Sequence, residues 1–341
     1  MSLVKLLRRK NRKLLFTTPS HSQKFSIFHK FRQFYKYDIS ETDAYDPQTA
    51  LKKAQKHAAK IYATKYTCFL TNGSTSGIIA SVLACTQKGD KVLIWDQAHP
   101  SHLNAVKLAG CEPVFYKLPL ISEWGIPDKT TPALIDIKGV KAVIVTSPTY
   151  EGIVSDIKAL KNICEKNGSY LIVDEAHGAL YPFSEKLPES AVKIADFTIQ
   201  SLHKTAGGLN PTALLHVNCN MNADKALSMI NTTSPSYPLL ASIEANINFL
   251  NSKKGRGKID VLIENIKRLK NSVSNIDFGG DDITKILIKK EGITGYELSE
   301  KLYNDFNIED EKTNDVSTML LCGIGTDEKK LLRLFKAMQK I

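Results

Sequence analysis

Ser201-Leu202-His203-Lys204-Thr205-Ala206-Gly207-Gly208 sets one lysine between a short β-like run, Phe197-Thr198-Ile199-Gln200, and a glycine pair. A lysine so placed can form a Schiff base, and its hydroxyl and imidazole neighbours can hold a phosphate. Alone the signal is weak, because most of the 46 Lys and Arg side chains are simply solvated. Thirty positions upstream, however, Asp174 closes the apolar run Tyr170-Leu171-Ile172-Val173 and opens Asp174-Glu175-Ala176-His177. An acid and a lysine at the ends of two β-runs are what pyridoxal phosphate needs. The acid pairs with the protonated pyridine nitrogen and the lysine holds the aldehyde carbon. The two stretches together point to a pyridoxal-phosphate enzyme.

Working outward, the chain after residue 50 alternates helical patterns with β-branched apolar runs. Helices are expected over 50–66, 75–86, 101–109 and 157–167, and strands over 68–71, 91–95, 113–116, 142–145, 170–173, 197–200 and 213–217. That alternation predicts an α/β domain around a mostly parallel sheet covered on both faces. In such sheets ligands gather beyond the carboxyl ends of the strands, which is where the residues singled out here fall. The tail differs in character. A strand over 282–289, a helix over 295–304, a strand over 316–322 and a closing helix over 327–341 predict a smaller α+β domain. The expected division is an N-terminal arm at 1–45, a large cofactor-binding domain at 46–245 and a small domain at 246–341. Lys253-Lys254-Gly255-Arg256-Gly257-Lys258 is expected as an exposed bend near the seam.

A chain of 341 residues can bury a large core, and 43% hydrophobic and 24% charged residues are ordinary for a globular protein. No run approaches the roughly 20 apolar residues of a membrane-spanning helix, so none is expected, and the cysteines point to a cytoplasmic location. The six cysteines are scattered, and none forms a C-x-x-C pair, which suits reduced thiols. The formal charge of +11 is densest at the start, where Lys5, Arg8, Arg9, Lys10, Arg12 and Lys13 occur without an acid. An Arg-rich, acid-poor start resembles a transit peptide. Leu3, Val4, Leu6, Leu7, Leu14 and Leu15 suit a packed helical arm better, and the arm is preferred. The remaining excess charge is read as a solvated basic surface, not as a nucleic-acid footprint.

Thr71-Asn72-Gly73-Ser74-Thr75-Ser76-Gly77 joins a strand to a helix. Small residues let backbone N–H groups approach an anion, and a helix N-terminus favours negative charge; an ordinary N-capped turn has the same composition. The lysine of a P-loop is absent. Asp174-Glu175-Ala176-His177 also spells the acidic box of some helicases, but without that lysine, and in a chain too short for two helicase domains, the helicase reading is rejected. An acid and a histidine three apart suit a metal, yet no further His/Cys/acid cluster at ligand spacing supports one. His99, in Asp96-Gln97-Ala98-His99-Pro100-Ser101-His102, either stacks on an aromatic cofactor or caps backbone groups of its loop. Ser147-Pro148-Thr149-Tyr150-Glu151-Gly152 is a turn at another strand end, able to line the same crevice. Thr232-Thr233-Ser234-Pro235-Ser236-Tyr237-Pro238 is a proline-braced loop that is either linker or a source of phosphate donors.

In this order the segments resemble the fold-type-I pyridoxal-phosphate enzymes, and among them the ornithine/lysine/arginine decarboxylase family. The family's Asn-Gly-Thr-Ser-like phosphate turn is matched by Asn72-Gly73-Ser74-Thr75-Ser76, and its Cys-His-Lys-Ser-like element by Ala98-His99-Pro100-Ser101. Its Asp-Glu-Ala-His box is matched at Asp174, its Ser-x-His-Lys element by Ser201-Leu202-His203-Lys204, and its Thr-Ser-Pro-Ser-Tyr-Pro loop from Thr233 onward. The resemblance runs from about residue 16 to the end; each piece is weakly specific, and five in order make the case. It implies an aspartate-aminotransferase-like α/β fold with a mostly parallel seven-stranded sheet and a smaller C-terminal α+β domain. It also implies pyridoxal 5′-phosphate as cofactor, an amino-acid substrate, a place in polyamine metabolism, and a homodimer with its active site at the subunit interface. In that dimer Thr232 or Ser234 reaches the neighbouring subunit's phosphate. The family's Pro-Gly-His-Lys element stands here as Pro19-Ser20-His21-Ser22, its glutamine seven positions after the lysine is Pro211, and a short member without the N-terminal wing and long C-terminal domain of larger members is expected.

The implied reaction is α-decarboxylation of arginine, lysine or ornithine. Lys204 would hold the cofactor and be displaced by the substrate amine, and Asp174 would keep the pyridine nitrogen protonated. His99 would stack on one ring face and Ala176 leave room on the other. Ser74, Thr75, Ser76, Ser201 and His203 would hold the phosphate, and His177 would bond the phenolic oxygen or line the substrate cleft. No metal is implied. Two alternatives stay open: aminotransferase, aldolase or β-eliminating lyase chemistry on the same scaffold, because fold does not fix reaction, and a non-catalytic relative that keeps the cofactor site.

Overall fold

The computed structural model describes residues 2–10, 36–39 and 49–341. In chain order its elements begin with α1 (Leu3–Lys10), α2 (Thr49–Tyr62), β1 (Tyr66–Leu70), α3 (Gly73–Cys85), β2 (Lys91–Trp95), α4 (Pro100–Leu108) and β3 (Glu112–Tyr116). A short hairpin, β4 (Leu120–Ile121) and β5 (Ile126–Pro127), precedes β6 (Ala142–Thr146), α5 (Ile157–Lys166), β7 (Tyr170–Asp174), β8 (Phe197–Ser201), the single turn α6 (Leu202–Thr205) and β9 (Ala213–Val217). The tail comprises α7 (Asp224–Ile230), α8 (Tyr237–Asn251), α9 (Lys253–Asn271), β10 (Asp277–Gly279), β11 (Lys285–Lys289), α10 (Gly295–Phe306), β12 (Lys312–Thr313), β13 (Thr318–Leu321) and α11 (Glu328–Met338).

Seven strands make one sheet in the order β1-β9-β8-β7-β6-β2-β3. From β3 to β8 the neighbours are parallel, whereas β9 runs against both β8 and β1. The strands are nearly unbroken apolar runs because helices cover both faces. Successive side chains alternate between those faces: Ile144 and Ile172 enter the core that includes residues of α3, α4 and α7, while Val143, Val145, Leu171 and Val173 pack with Ile157, Leu160 and Cys164 of α5.

The second sheet is antiparallel, in the order β10-β11-β13-β12. Ile286 and Ile288 of β11 share a core with α8, α9, α10 and α11, and Leu287 with Met319 packs on Ile126 and Ile153. That second contact brings the start of β11 beside the loop that follows β6. Near the N-terminus, Leu3 and Leu7 of α1 are buried in the core that contains α8, and the Val4 N–H donates to Glu244 Oε2 at 3.4 Å. The expected arm is described only at 2–10 and 36–39, and Pro19-Ser20-His21-Ser22 lies outside the described residues.

The expected exposed bend at 253–258 is instead the opening of α9, and the chain turns one residue earlier. Ser252 caps α9 by accepting the Gly255 N–H at 3.0 Å, and Ile259, Leu262, Ile263, Ile266 and Leu269 bury one helical face. The basic residues are its opposite face. Residues 245 and 246 both fall inside α8. Among the described residues no helix is long and apolar enough to cross a membrane, and all six cysteines are free.

Candidate active site

β7 and β8 are adjacent and pair with Asp174 opposite Ile199. The acid and the Ser201–Thr205 turn, distant in sequence, therefore emerge side by side from the same end of the sheet. Asp174 is 7% exposed. Its Oδ2 accepts from His102 Nε2 at 3.0 Å and its Oδ1 from the Ala176 N–H at 3.1 Å. Burial alone would raise its pKa, but the His102 hydrogen bond and charge, with the Lys204 ammonium, outweigh it and hold the carboxyl below its usual range. Two of roughly four lone-pair sites on the carboxylate are thus in use, which leaves acceptor capacity for a further N–H.

Lys204 Nζ lies 3.0 Å from His177 Nε2. Burial lowers the lysine pKa; Asp174 and Glu311 oppose this, and Lys285 adds to it. His177 is pushed well below the ordinary imidazole value, first by burial and then by Lys204 and Lys285. Its ring packs against that of Tyr150, with centroids 4.5 Å apart, and the Tyr150 hydroxyl donates to Glu311 Oε1 at 2.5 Å. Glu175, next to Asp174, turns the other way. It accepts from the Ala191 N–H, Ser190 Oγ and Gln200 Nε2, and burial still raises its pKa to about 7.

The 72–76 turn reaches the same place. Gly73 N–H donates to the carbonyl of Pro211 at 2.8 Å, tying the start of α3 to the loop that follows Lys204. A Cβ on Gly77 would sit 2.9 Å from Leu70 Cδ1 and 3.0 Å from Ile199 Cγ2, so the first turn of α3 lies directly on β1 and β8. Asn72 occupies the N-cap without a side-chain cap bond, so among the described residues the first amides of α3 have no capping side chain. Ser76 Oγ donates to Gly73 O at 2.8 Å. Among the described residues Ser201 Oγ is buried with no partner, as are Thr205 Oγ1, Thr212 Oγ1 and His177 Nδ1. His203 Nδ1 is 3.1 Å from Thr212 O, leaving Nε2 as its second ring nitrogen.

His99 is the N-cap of α4: its Nδ1 accepts the Ser101 N–H at 3.2 Å and lies 2.8 Å from Ser101 Oγ. Burial lowers its pKa, with Asp174 opposing and His102 and Lys204 adding to the fall, so the ring sits within reach of the charges of Asp174 and Lys204. Thr232 and Ser234 stand apart on an exposed turn, where the Ser234 N–H donates to Thr232 Oγ1 at 3.1 Å. Among the described residues neither bonds the Lys204 cluster. Sequence reasoning missed His102, one α4 turn beyond His99 and aimed inward by the helix phase. It placed Tyr150 on a turn able to line the crevice but not its bond to Glu311, and it passed over Asp282 and Lys285, which precede and open β11 and carried no local motif.

An ionised buried acid, a lysine of lowered proton affinity, and unpartnered hydroxyl and helix N–H donors are the chemistry that a pyridinium, an aldehyde and a phosphate monoester call for. The fold is that of the fold-type-I pyridoxal-phosphate enzymes. The profile of the Orn/Lys/Arg decarboxylase major domain matches residues 7–286. The chain belongs to the Orn/Lys/Arg decarboxylase family. It is 27% identical to an arginine decarboxylase of Bacillus anthracis over 97% of this chain and 74% of that protein. It is 28% identical to an arginine decarboxylase of Bacillus subtilis, again over 74% of its length. Among solved structures it resembles the Francisella novicida lysine decarboxylase LdcF (TM-score 0.85, 20% identity), covering 99% of this chain and 59% of that one. A ureidoglycine–glyoxylate aminotransferase from Bacillus subtilis shares the fold at TM-score 0.67 and 12% identity, with 89% of this chain and 86% of that one covered. The chain thus spans about three-fifths of the solved lysine decarboxylase and three-quarters of the arginine decarboxylases.

Proposed function

We propose that the chain is a pyridoxal-phosphate-dependent lyase that releases the α-carboxylate of a basic amino acid as CO2, working as a homodimer. The observation that carries this reading is the meeting of two pairs at the ends of β7 and β8: Asp174 with His102, and Lys204 with His177. Bound there, pyridoxal phosphate supplies a ring that accepts the electron pair left when the Cα–carboxylate bond breaks. Lys204 is the residue that holds its aldehyde carbon, and burial favours the neutral, nucleophilic amine. Asp174, kept ionised, holds the proton on the ring nitrogen. Ser201 Oγ and the first amides of α3, at Ser74, Thr75 and Ser76, hold the phosphate, with His203 beside them. With the cofactor bound, His99 would cover one ring face and Ala176 would leave the other open. Lys204 Nζ and His177 Nε2, being in hydrogen-bond contact, could pass a proton between them, the general acid–base role this pair would supply.

Glu311, which accepts the hydroxyl of the Tyr150 that packs on His177, is the acid placed to meet a cationic substrate side chain. The curated relatives named arginine decarboxylase favour arginine as the first substrate to test. The exposed turn at 232–234 is available to a partner subunit's phosphate site. The test is mass spectrometry of products from purified, cofactor-loaded protein given arginine, lysine and ornithine separately, with Lys204→Ala as control. Agmatine, cadaverine or putrescine, lost in the control, is the expected result. No amine from any of the three, with the cofactor still fixed on Lys204 by borohydride, would overturn decarboxylation and favour another fold-type-I reaction.

A further inference from the structure

Lys285 opens β11 in the small sheet, yet its side chain is fully buried, as is that of Asp282. The three ammonium donors are matched by three acceptors: Asp282 Oδ2 at 2.6 Å, the carbonyl of His177 at 2.9 Å and Thr284 Oγ1 at 3.2 Å. Asp282 Oδ2 also accepts the Tyr181 hydroxyl at 2.6 Å, and Asp282 Oδ1 accepts Thr284 N–H and Oγ1 at 2.8 and 2.7 Å. One ion pair therefore grips both ends of the 177–181 turn, His177 by its carbonyl and Tyr181 by its hydroxyl. The loop after β6 closes round the same pair. Asp282 N–H donates to Gly152 O at 3.0 Å, and a Cβ on Gly152 (φ +95°) would lie 3.2 Å from the Cβ atoms of both Asp282 and Lys285. Two residues before that glycine, Tyr150 packs on the His177 ring.

A buried ion pair is weak evidence for stability, since well-packed apolar residues of similar volume serve as well or better. What apolar residues cannot do is donate a hydrogen bond to a chosen carbonyl. We propose that Lys285 is a positioning residue: reaching from the small sheet, its ammonium holds the His177 carbonyl and so sets His177 Nε2 against Lys204 Nζ. The inference rests on the reading of Lys204 as the cofactor-holding lysine. The charge of Lys285 acts in the same place, since it lowers the proton affinity of both His177 and Lys204.

The test uses the full chain with Lys285→Met and, so that no buried acid is left unpaired, Asp282→Asn/Lys285→Met. The first readout is the 15N ring spectrum of His177, assigned by its loss in His177→Gln. Both variants should shift the Nε2 signal and move its titration to higher pH. The second is a double-mutant cycle on the cofactor-loaded protein. Lys285→Met should lower kcat by about tenfold to 100-fold, as a small misplacement of a reacting group does. In a His177→Gln background the same change should have less than about a twofold effect. An unmoved His177 spectrum, or an equal loss of kcat with and without His177, would overturn the proposal. Peptide mapping after borohydride reduction tests the underlying reading separately: failure to find the cofactor on Lys204 sinks that reading and leaves the spectral expectation standing.

Discussion

Replacing His102 by leucine removes the side-chain donor to Asp174 Oδ2 and leaves only the Ala176 N–H on Oδ1. Leucine is close to imidazole in volume, so the main effect is electrostatic. A hydrogen bond to a charged group contributes about 1.5–3 kcal/mol. Both partners are buried here, so water cannot replace the donor and little of that figure is recovered. The sign with pH follows from the depressed native pKa of Asp174. Its contribution is complete above the unfolded carboxylate value of about 3.9 and is lost as pH falls through the lower native value. His102→Leu should therefore lose about 1.5–3 kcal/mol at pH 7, and the gap to wild type should close in strong acid. The assay is guanidinium unfolding across that pH range at matched m-values, with release of pyridoxal phosphate on dialysis as a second measure. Asp174 drifting toward neutrality gives up its hold on the ring proton, so release should be faster. Equal stability of the two proteins at pH 7, or a gap that persists unchanged in acid, would refute the reasoning.

Glu175 should behave in the opposite sense. Its native pKa of about 7 lies above the ordinary 4.5, so the native state holds its proton longer and stability falls as pH rises between those values. The effect amounts to roughly 3 kcal/mol; melting curves at pH 5.5 and 8 should show a flatter pH dependence for Glu175→Gln. Gly77→Val forces a side chain into the contacts with Leu70 and Ile199. Overpacking of about 1–3 kcal/mol is expected, with weaker phosphate binding by isothermal titration as the start of α3 moves off β8. Glu311→Gln should raise KM for arginine, lysine or ornithine more than it lowers kcat, and steady-state kinetics that show a pure kcat effect would remove Glu311 from substrate recognition.

The alternation of the large sheet was legible because each strand is buried on both faces and reads as a continuous β-branched run bounded by turns, as with Lys91–Trp95 and Ala213–Val217. Asp174 and Lys204 could be singled out for a related reason: Asp174 ends β7 and Lys204 lies in the turn just beyond β8, at the end of the sheet where ligands collect. Legibility failed where tertiary partners decide. α8 went unread although Pro238 lies in its first turn, because a hydroxyl-rich stretch before it looks like linker. The strand expected from residue 282 begins at Lys285, since Asp282 and Thr284 spend their bonds on each other and on the ion pair. His102 and Lys285 matter through groups 72 and 108 residues away, a relation that no local pattern carries. The role expected of Thr232 and Ser234 is directed at a second subunit, so no contact within one chain would mark it.

The pairing of β1 has a consequence for biosynthesis. Among the described residues β1 is an edge strand whose one neighbour in the sheet is β9, with Tyr66 opposite Val217. At a ribosomal pace of roughly 5–20 residues per second, β1 is made about 7–30 seconds before the strand that completes it. Throughout that interval Cys68, Phe69 and Leu70 form an unpaired apolar ribbon on a nascent chain, the kind of edge that recruits other chains. β9 is therefore a completion signal: a translation product that stops short of Val217 keeps that ribbon open and is an aggregation hazard, however well its central strands have folded.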